Sequence, residues 1–424
     1  MDPNSIPVEH FDVAVVGGGT SGAFAAASAA DAGAKTVLIE KNGVLGGTMT
    51  VCGVNYPGLF FAWGKQIVGG KCWELIKRVD ELGGAAIPQM EYAPEKHFTQ
   101  QIRMNAFILA CALDEMEEKY GVSVRFHSML FNAREDENGV ELLIAQKGGP
   151  VRIRAKTAVD CTGDADLARM LGYGTQISPS LQPATLFVKG RRLDPLPDLD
   201  GLTKAAAEAT ARGELPAWIA PHSYSKLVRG LNMTYHVECT SDAAGSAGKS
   251  ELERRARRDA LAAVEFIKKY PGCESFEIES FSTECGVRET VRIDAETNVT
   301  AEDYITGRVF DDAICCAFYP IDLHRPPYDI KQVFFAEGVH ATVPYGALIP
   351  KGSRRIWAAG RCVGSDTDAN SALRVQAPCM AEGQAAGCAA ALCAASGIPA
   401  KDLDINLLKN ELRRQGAVLP GEEI

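Results

Sequence analysis

The sequence lacks the marks of several large protein classes. Basic residues are in deficit, with 44 Lys and Arg against 54 Asp and Glu for a net charge of -10. Such a chain carries no cationic footprint for nucleic acid or an anionic membrane, so neither is an expected partner. Long apolar runs are missing too: the Ala-rich stretch from Ala385 to Ala395 is too short and too weakly apolar to span a bilayer. The first ten residues, MDPNSIPVEH, hold no basic region, and the apolar stretch after them is broken by Gly17, Gly18, Gly19 and Gly22, which argues against a secretory signal. The 13 cysteines include no CxxC pair, which speaks against zinc ribbons, cysteine-ligated clusters and a thioredoxin-like redox couple. Reduced thiols in a cytoplasmic compartment are expected. The seven histidines show no metal-binding spacing, and no metal is expected.

What is present is ordinary globular composition, 46% hydrophobic and 23% charged over 424 residues, with length for a sizeable core. Glycine, at 41 residues, gathers at particular turns. From Phe11 to Glu40 the pattern runs strand (FDVAVV), turn (GGGTSG), small-residue helix (AFAAASAADAG) and strand (KTVLIE), which reads as a βαβ unit. An amphipathic helix is expected over Thr99 to Tyr120, then a strand VSVRFHSML and two more, VELLIAQ and VRIRAKTAVDCTG, about the turn KGGP. A Pro-rich link, LDPLPDLDG, opens a tract of different texture, with a strand LNMTYHVEC and a charged helix from Ser250 to Tyr270. From Val343 the small-residue style of the start returns. The expected organisation is a nucleotide domain in two parts, 1–174 and 330–424, interrupted by a substrate or cap domain at 175–329.

Gly17, Gly19 and Gly22 form GxGxxG directly after a strand and before a helix, and Glu40 follows 40 − 19 = 21 residues after the second glycine. Dinucleotide binding needs that pattern: bare backbone must approach a pyrophosphate, helix amides must face it, and a carboxylate must hold the ribose hydroxyls. Gly18, Thr20, Ser21 and, beside the acid, Lys41 complete the candidate set. The fingerprint alone leaves NAD and FAD open. After Glu40 the chain reads KNGVLGGTMTVCGVN, where Gly46, Gly47 and Thr48 let backbone pass over a diphosphate.

At these residues the sequence resembles bacterial FAD-dependent oxidoreductases of the glutathione-reductase-like superfamily, related to the fumarate reductase and succinate dehydrogenase flavoproteins. The resemblance extends over nearly the whole chain. It implies an α/β fold, a Rossmann-like FAD-binding domain interrupted by an α+β cap domain. VDCTGDADLA (159–168) is similar to the family segment that sets Gly163 and Asp164 beside the nucleotide half of the cofactor, and HSML (127–130) puts Leu130 at the adenine. RRIWAAGRC (354–362) resembles the strand that brings Gly360 and Arg361 to the ribityl chain; many relatives have an acid where Arg361 stands. NSALRVQAPCMAEGQAAGCAAALC (370–393), with Ser371 and Arg374, resembles the closing helix whose N-terminus faces the flavin. Gly383 and Gly387, four apart, give that helix a flat face. No histidine lies between Glu40 and Lys65, where covalent-flavin relatives attach the ring, so noncovalent FAD is expected.

Two further segments, ECGVRETVRI (284–293) and FYPIDLHRPPYDI (318–330), resemble those that flank the substrate. Hydride exchange needs a proton-moving group and a cation for developing charge. His324 is the candidate acid/base and Arg288 the anion clamp, with Arg292 and Arg325 as alternatives and Tyr319 as a proton donor or relay. The expected activity is hydride exchange between flavin N5 and a small organic molecule, as C=C reduction or the reverse. Flavin monooxygenation, or a noncatalytic electron-transfer or sensing role, remains the alternative. Without a second GxGxxG or a CxxC relay, the electron donor or acceptor, like the oligomeric state, is left open.

Overall fold

The computed structural model describes residues 6–90, 94–239, 241–325 and 329–424. The 318–330 segment is thus described except at 326–328.

The first strand, Val8–Val16, turns at Gly17 into the helix Gly22–Asp31 and returns through the strand Thr36–Ile39. These are the expected βαβ elements. Val8–Val16 lies parallel to both Thr36–Ile39 and Val151–Asp160, and Ser123–Arg125 extends the sheet beyond Thr36–Ile39. Along Val151–Asp160 the first half pairs antiparallel with Gly139–Gln146, itself paired with Ser128–Asp136, and the last three residues pair parallel with Ile356–Ala358. The result is a seven-stranded, mostly parallel sheet joined by strands from both ends of the chain. Alternation of side chains sorts its two faces: Val13 and Val15 enter the large core with Phe24 and Met380, while Ala14 and Val16 join Leu142, Ile144 and Ile153 on the other side.

The helix Gln376–Ser396 packs on Gly22–Asp31 along the expected flat face. A Cβ on Gly383 would stand 2.1 Å from the Ser21 carbonyl oxygen, and one on Gly387 would stand 2.0 Å from that of Ala25. Two helix backbones approach this closely only where side chains are absent.

The cap has its own sheet, Ala184–Gly190 between Asn232–Val237 and Ile278–Phe281, backed by the helices Leu199–Ala211, His222–Val228 and Ser246–Lys268. Its core includes Leu186, Tyr224, Tyr235 and Phe276. Val299, Tyr304, Ile314 and Phe318, from the tract that sequence assigns largely to the cap, pack instead in the large core.

Three element expectations need correction. The helix expected from Thr99 begins at Ala106, because Asn105 turns the chain and its side chain accepts from the Phe107 and Ile108 amides. The strand VSVRFHSML is two strands, Ser123–Arg125 and Ser128–Asp136, broken where His127 takes φ 50°. The closing helix starts at Gln376, after a separate helix Thr367–Leu373 capped by Asp366. Pro378 in its first turn has no N–H to bond back toward Arg374, so the break falls ahead of it.

Candidate active site

A cavity of about 620 Å³ runs between the sheet's carboxyl edge and the cap. Its nucleotide end is built by the first βαβ turn. Gly22 has to be glycine, since a Cβ there would lie 1.7 Å from the Gly17 carbonyl oxygen. The helix that follows starts without a side-chain cap or an acidic residue in its first turn, leaving its amide end open toward the cavity wall formed by Gly17, Gly19, Thr20 and Ser21. Glu40 is buried, and its two oxygens accept from the Gly18 and Asn42 amides, each at 2.7 Å. Burial pushes its carboxyl up, against those two bonds. Gly47 packs directly on Gly19, since a Cβ on it would stand 2.9 Å from the Gly19 Cα, and both line the cavity with Thr48, Ser128, Met129 and Leu130.

The CTGD turn is fixed by Asp160, fully buried at the strand end, whose carboxylate accepts from the Thr162 amide and hydroxyl and from the Ala168 amide. Gly163 and Asp164 then reach the cavity. Arg361 donates to Asp164 Oδ1 at 2.8 Å and to Thr290 Oγ1 at 3.2 Å, so the basic residue where relatives have an acid neutralises the turn's carboxylate. Gly360 also lines the cavity, and its amide is held at 3.0 Å by Glu382. Glu382 is fully buried, its second oxygen has no hydrogen-bond partner, and burial pushes its pKa up to about 8. Lys41, from the nucleotide lobe, pairs at 2.8 Å with Glu284 of the cap, and Lys249 approaches the same carboxylate at 3.7 Å.

Not every candidate faces the cavity. Gly18, Gly22 and Gly46 shape turns behind its wall. Ser371 also lies behind it, its Oγ accepting from the Asp322 amide at 3.0 Å. Arg374 lines the cavity, and its charge acts on Tyr319, Asp322, His324 and Arg288. Arg292 is withdrawn into a buried bond with Glu289. Arg325 is exposed on a neighbouring cavity.

On the cap side of the cavity, Asp322 and His324 stand two apart on the strand Ile321–Arg325, hence on one face. His324 Nε2 lies 3.1 Å from Asp322 Oδ2, and Gln332 donates to Asp322 Oδ1 at 3.2 Å. Burial works to raise the Asp322 carboxyl; the bond and charge of His324 and the charge of Arg374 overcome it and leave it below its ordinary value. Burial lowers the His324 pKa, as does Arg288, and Asp322 only partly restores it. A carboxylate can only accept, so Nε2 carries the proton and Nδ1 holds the lone pair. His236, ring centroid 5.3 Å from that of His324, is driven down to about 3 by burial and by Arg288, so it stays neutral. Tyr319 is pushed up to about 12 by burial and by Asp322, so it keeps its phenolic proton.

Arg288 donates to the Pro183 carbonyl at 2.6 Å and to Thr185 Oγ1 at 2.7 Å, both neutral. Among the described residues Arg374 reaches only the Gln182 carboxamide oxygen, at 3.4 Å, and its Nε has no partner. Among the described residues neither guanidinium forms an ion pair. Burial, then the charge of Arg374, lowers Arg288 to about 9.

Sequence reasoning passed over Asp322, though the spacing of Asp and His in IDLH carries a strand-face signal. Gln182 and Thr185, which hold the two arginines, leave no comparable local trace. The structure also joins Cys316, His340 and Glu423, with donor atoms within 4.8 Å, a grouping no sequence spacing reveals; none lines the cavity. His340 Nε2 and Glu423 already pair at 3.2 Å. Among the described residues no helix is long and apolar enough to cross a membrane.

A mostly parallel sheet with a glycine turn, a buried acid after the second strand, a second glycine pass and a closing helix is the frame of a dinucleotide-dependent enzyme, and the residues fit FAD in particular. The uncapped helix and the side-chain-free Gly19 and Gly47 suit its diphosphate, and the buried Glu40 carboxylate its ribose. The sequence pattern described as FAD dependent oxidoreductase matches residues 12–412, and the chain belongs to that family. It is an FAD-dependent oxidoreductase. The match is to the family as a whole and does not single out the fumarate reductase branch. No curated protein matches the chain in sequence. Among solved structures, it is similar to a geranylgeranyl bacteriochlorophyll reductase-like protein from Thermoplasma acidophilum, at 14% identity over 96% of this chain and 83% of that one, TM-score 0.46. It is similar to p-nitrophenol 4-monooxygenase from Pseudomonas putida at 13% identity, 95% and 84% coverage and TM-score 0.42. A flavoprotein/dehydrogenase from Cytophaga hutchinsonii aligns at 14% identity, 96% and 83% coverage and TM-score 0.43.

Proposed function

We propose that the enzyme exchanges hydride with an organic carboxylic acid, reducing a C=C bond conjugated to the carboxylate or running the reverse dehydrogenation. The observation that carries this reading is the pair Arg288 and Arg374, two guanidiniums that line one cavity, feel each other's charge and, among the described residues, bond only to neutral oxygens. Cations so placed call for an anion, and a carboxylate satisfies both the charge and the fork geometry. When bound, FAD supplies the hydride acceptor or donor.

The chain's own residues supply the rest. Arg288 and Arg374 hold the carboxylate and stabilise enolate-like charge as it develops next to it. His324, neutral at Nδ1 and held by Asp322, takes the proton in the dehydrogenating direction and returns it in the other. Tyr319, protonated across the working pH range, serves as a fixed donor. FAD is held without a covalent bond in this reading, in keeping with burial raising the cavity thiol Cys52 to about 11 so that it stays protonated.

The test is carboxylate dependence. The reduced holoenzyme, mixed anaerobically with an α,β-unsaturated acid and with its methyl ester, should be reoxidised by the acid and at least tenfold more slowly by the ester. Equal rates would remove the reading. Flavin monooxygenation remains the alternative, and oxygen uptake matched to hydroxylated product would establish it.

A further inference from the structure

A second cavity, of about 440 Å³, adjoins the first. Val54, Tyr56, Thr234 and His324 line both, so the two meet at the imidazole proposed to move the proton. The wall of the second cavity carries the apolar and aromatic Phe187, Trp218, Met233 and Ile330 beside the polar Ser223, Asn232 and His236, and Lys226 and Arg325 on it are both exposed. Among the described residues neither of these cations forms an ion pair. His222, also on this wall, is lowered by burial and by Lys226 and adds no charge at neutral pH. The joined cavities therefore combine a buried guanidinium pair, a group of apolar and aromatic side chains and two exposed cations.

We propose that the second cavity is the entry route and tail site of the substrate, and that the substrate is an amphipathic acid with an extended alkyl or aryl body. Its carboxylate is at Arg288 and Arg374, its reactive carbons are beside His324, and its body lies against Phe187, Trp218 and Met233. A short acid would leave that apolar wall wet. A volume of this size accommodates a small organic group, within the roughly 300–1,000 Å³ usual for such pockets. Lys226 and Arg325 steer the anion inward without holding it, because attraction at exposed charges acts on the encounter rate and is screened by salt. This deepens the carboxylate reading and rests on it for the position of the acid group alone.

The experiment is calorimetric titration of the FAD-loaded enzyme with unbranched saturated acids from acetate to decanoate, and in parallel with the matching 1-alkanols. The dissociation constant of the acids is expected to fall about fourfold per methylene until the cavity fills. Trp218→Asp should flatten that series while leaving acetate unchanged, and Thr234→Trp, which narrows the passage shared by the cavities, should flatten it as well. The alkanols should follow the same slope from a weaker starting point. A dissociation constant independent of chain length, or one that Trp218→Asp shifts equally for acetate and decanoate, would overturn the tail site. Acids binding no more tightly than alkanols, with the slope intact, would instead remove the carboxylate clamp and leave the tail site standing.

Discussion

Asp322 Oδ2 lies 3.1 Å from His324 Nε2, two residues along the same strand, and this bond sets which imidazole nitrogen faces the cavity with a lone pair. Burial and Arg288 lower the imidazole's affinity for a proton, and Asp322 opposes them. The acidic limb of the dehydrogenation rate should therefore fall as pH drops through the lowered His324 pKa. Asp322→Asn removes the one charge that holds this pKa up, so its acidic limb should move to lower pH. The maximal rate should also fall, by about 10² or more, as the tautomer is lost. A pH–rate profile with an unmoved limb would show that His324 does not titrate in the reaction.

Arg288→Gln and Arg374→Gln should each raise the KM for a carboxylate substrate and lower kcat/KM by roughly 30- to 1,000-fold, the range for losing a charged hydrogen-bonded partner. The affinity for FAD should stay within twofold of the parent, measured by flavin fluorescence on dilution. A loss of FAD instead would assign these residues to the cofactor.

Glu382 gives a stability signature. Its folded pKa, about 8, stands above its ordinary value because burial disfavours the charge. Between the unfolded pKa and about 8 the folded chain keeps a proton that the unfolded chain has released. The stability this proton represents is complete at low pH and is lost as pH rises through that window. Glu382→Gln, which stays neutral and can still accept from the Gly360 amide, should remove the loss, so its melting temperature relative to the parent should rise from pH 5 to pH 8. An unchanged difference across that range would contradict a protonated Glu382.

Gly383→Ala places a methyl 2.1 Å from the Ser21 carbonyl oxygen, where only backbone can yield. Overpacking of this kind costs about 1–3 kcal/mol, enough to lower the melting temperature by several degrees. Because Ser21 belongs to the glycine turn, FAD release should quicken as well; Ala386→Ser, on the same helix, offers the comparison.

The nucleotide end was legible because its signal is local. Gly17, Gly19, Gly22 and Glu40 fall within 24 residues, and their spacing alone dictates a strand, a turn and a helix. The substrate end is assembled over long range: Arg288, Tyr319, His324 and Arg374 meet only after the cap folds over the sheet. Sequence therefore supplied their residue types without their partners. Arg374 reads as a cofactor contact because it precedes the closing helix; it lines the cavity together with Arg288, and the proposed function assigns it to the substrate carboxylate. Ser371 read as a contact for the same reason, and it holds the Asp322 strand from behind.

The most direct measurement is anaerobic reoxidation of the reduced, FAD-loaded enzyme by an α,β-unsaturated acid, followed in parent and Arg288→Gln. The parent should bleach and recover its flavin absorbance with saturation in the acid, and the variant should need far higher concentrations for the same rate. Identical concentration dependence in both, or recovery only on admitting oxygen, would contradict a carboxylate substrate held by the two arginines.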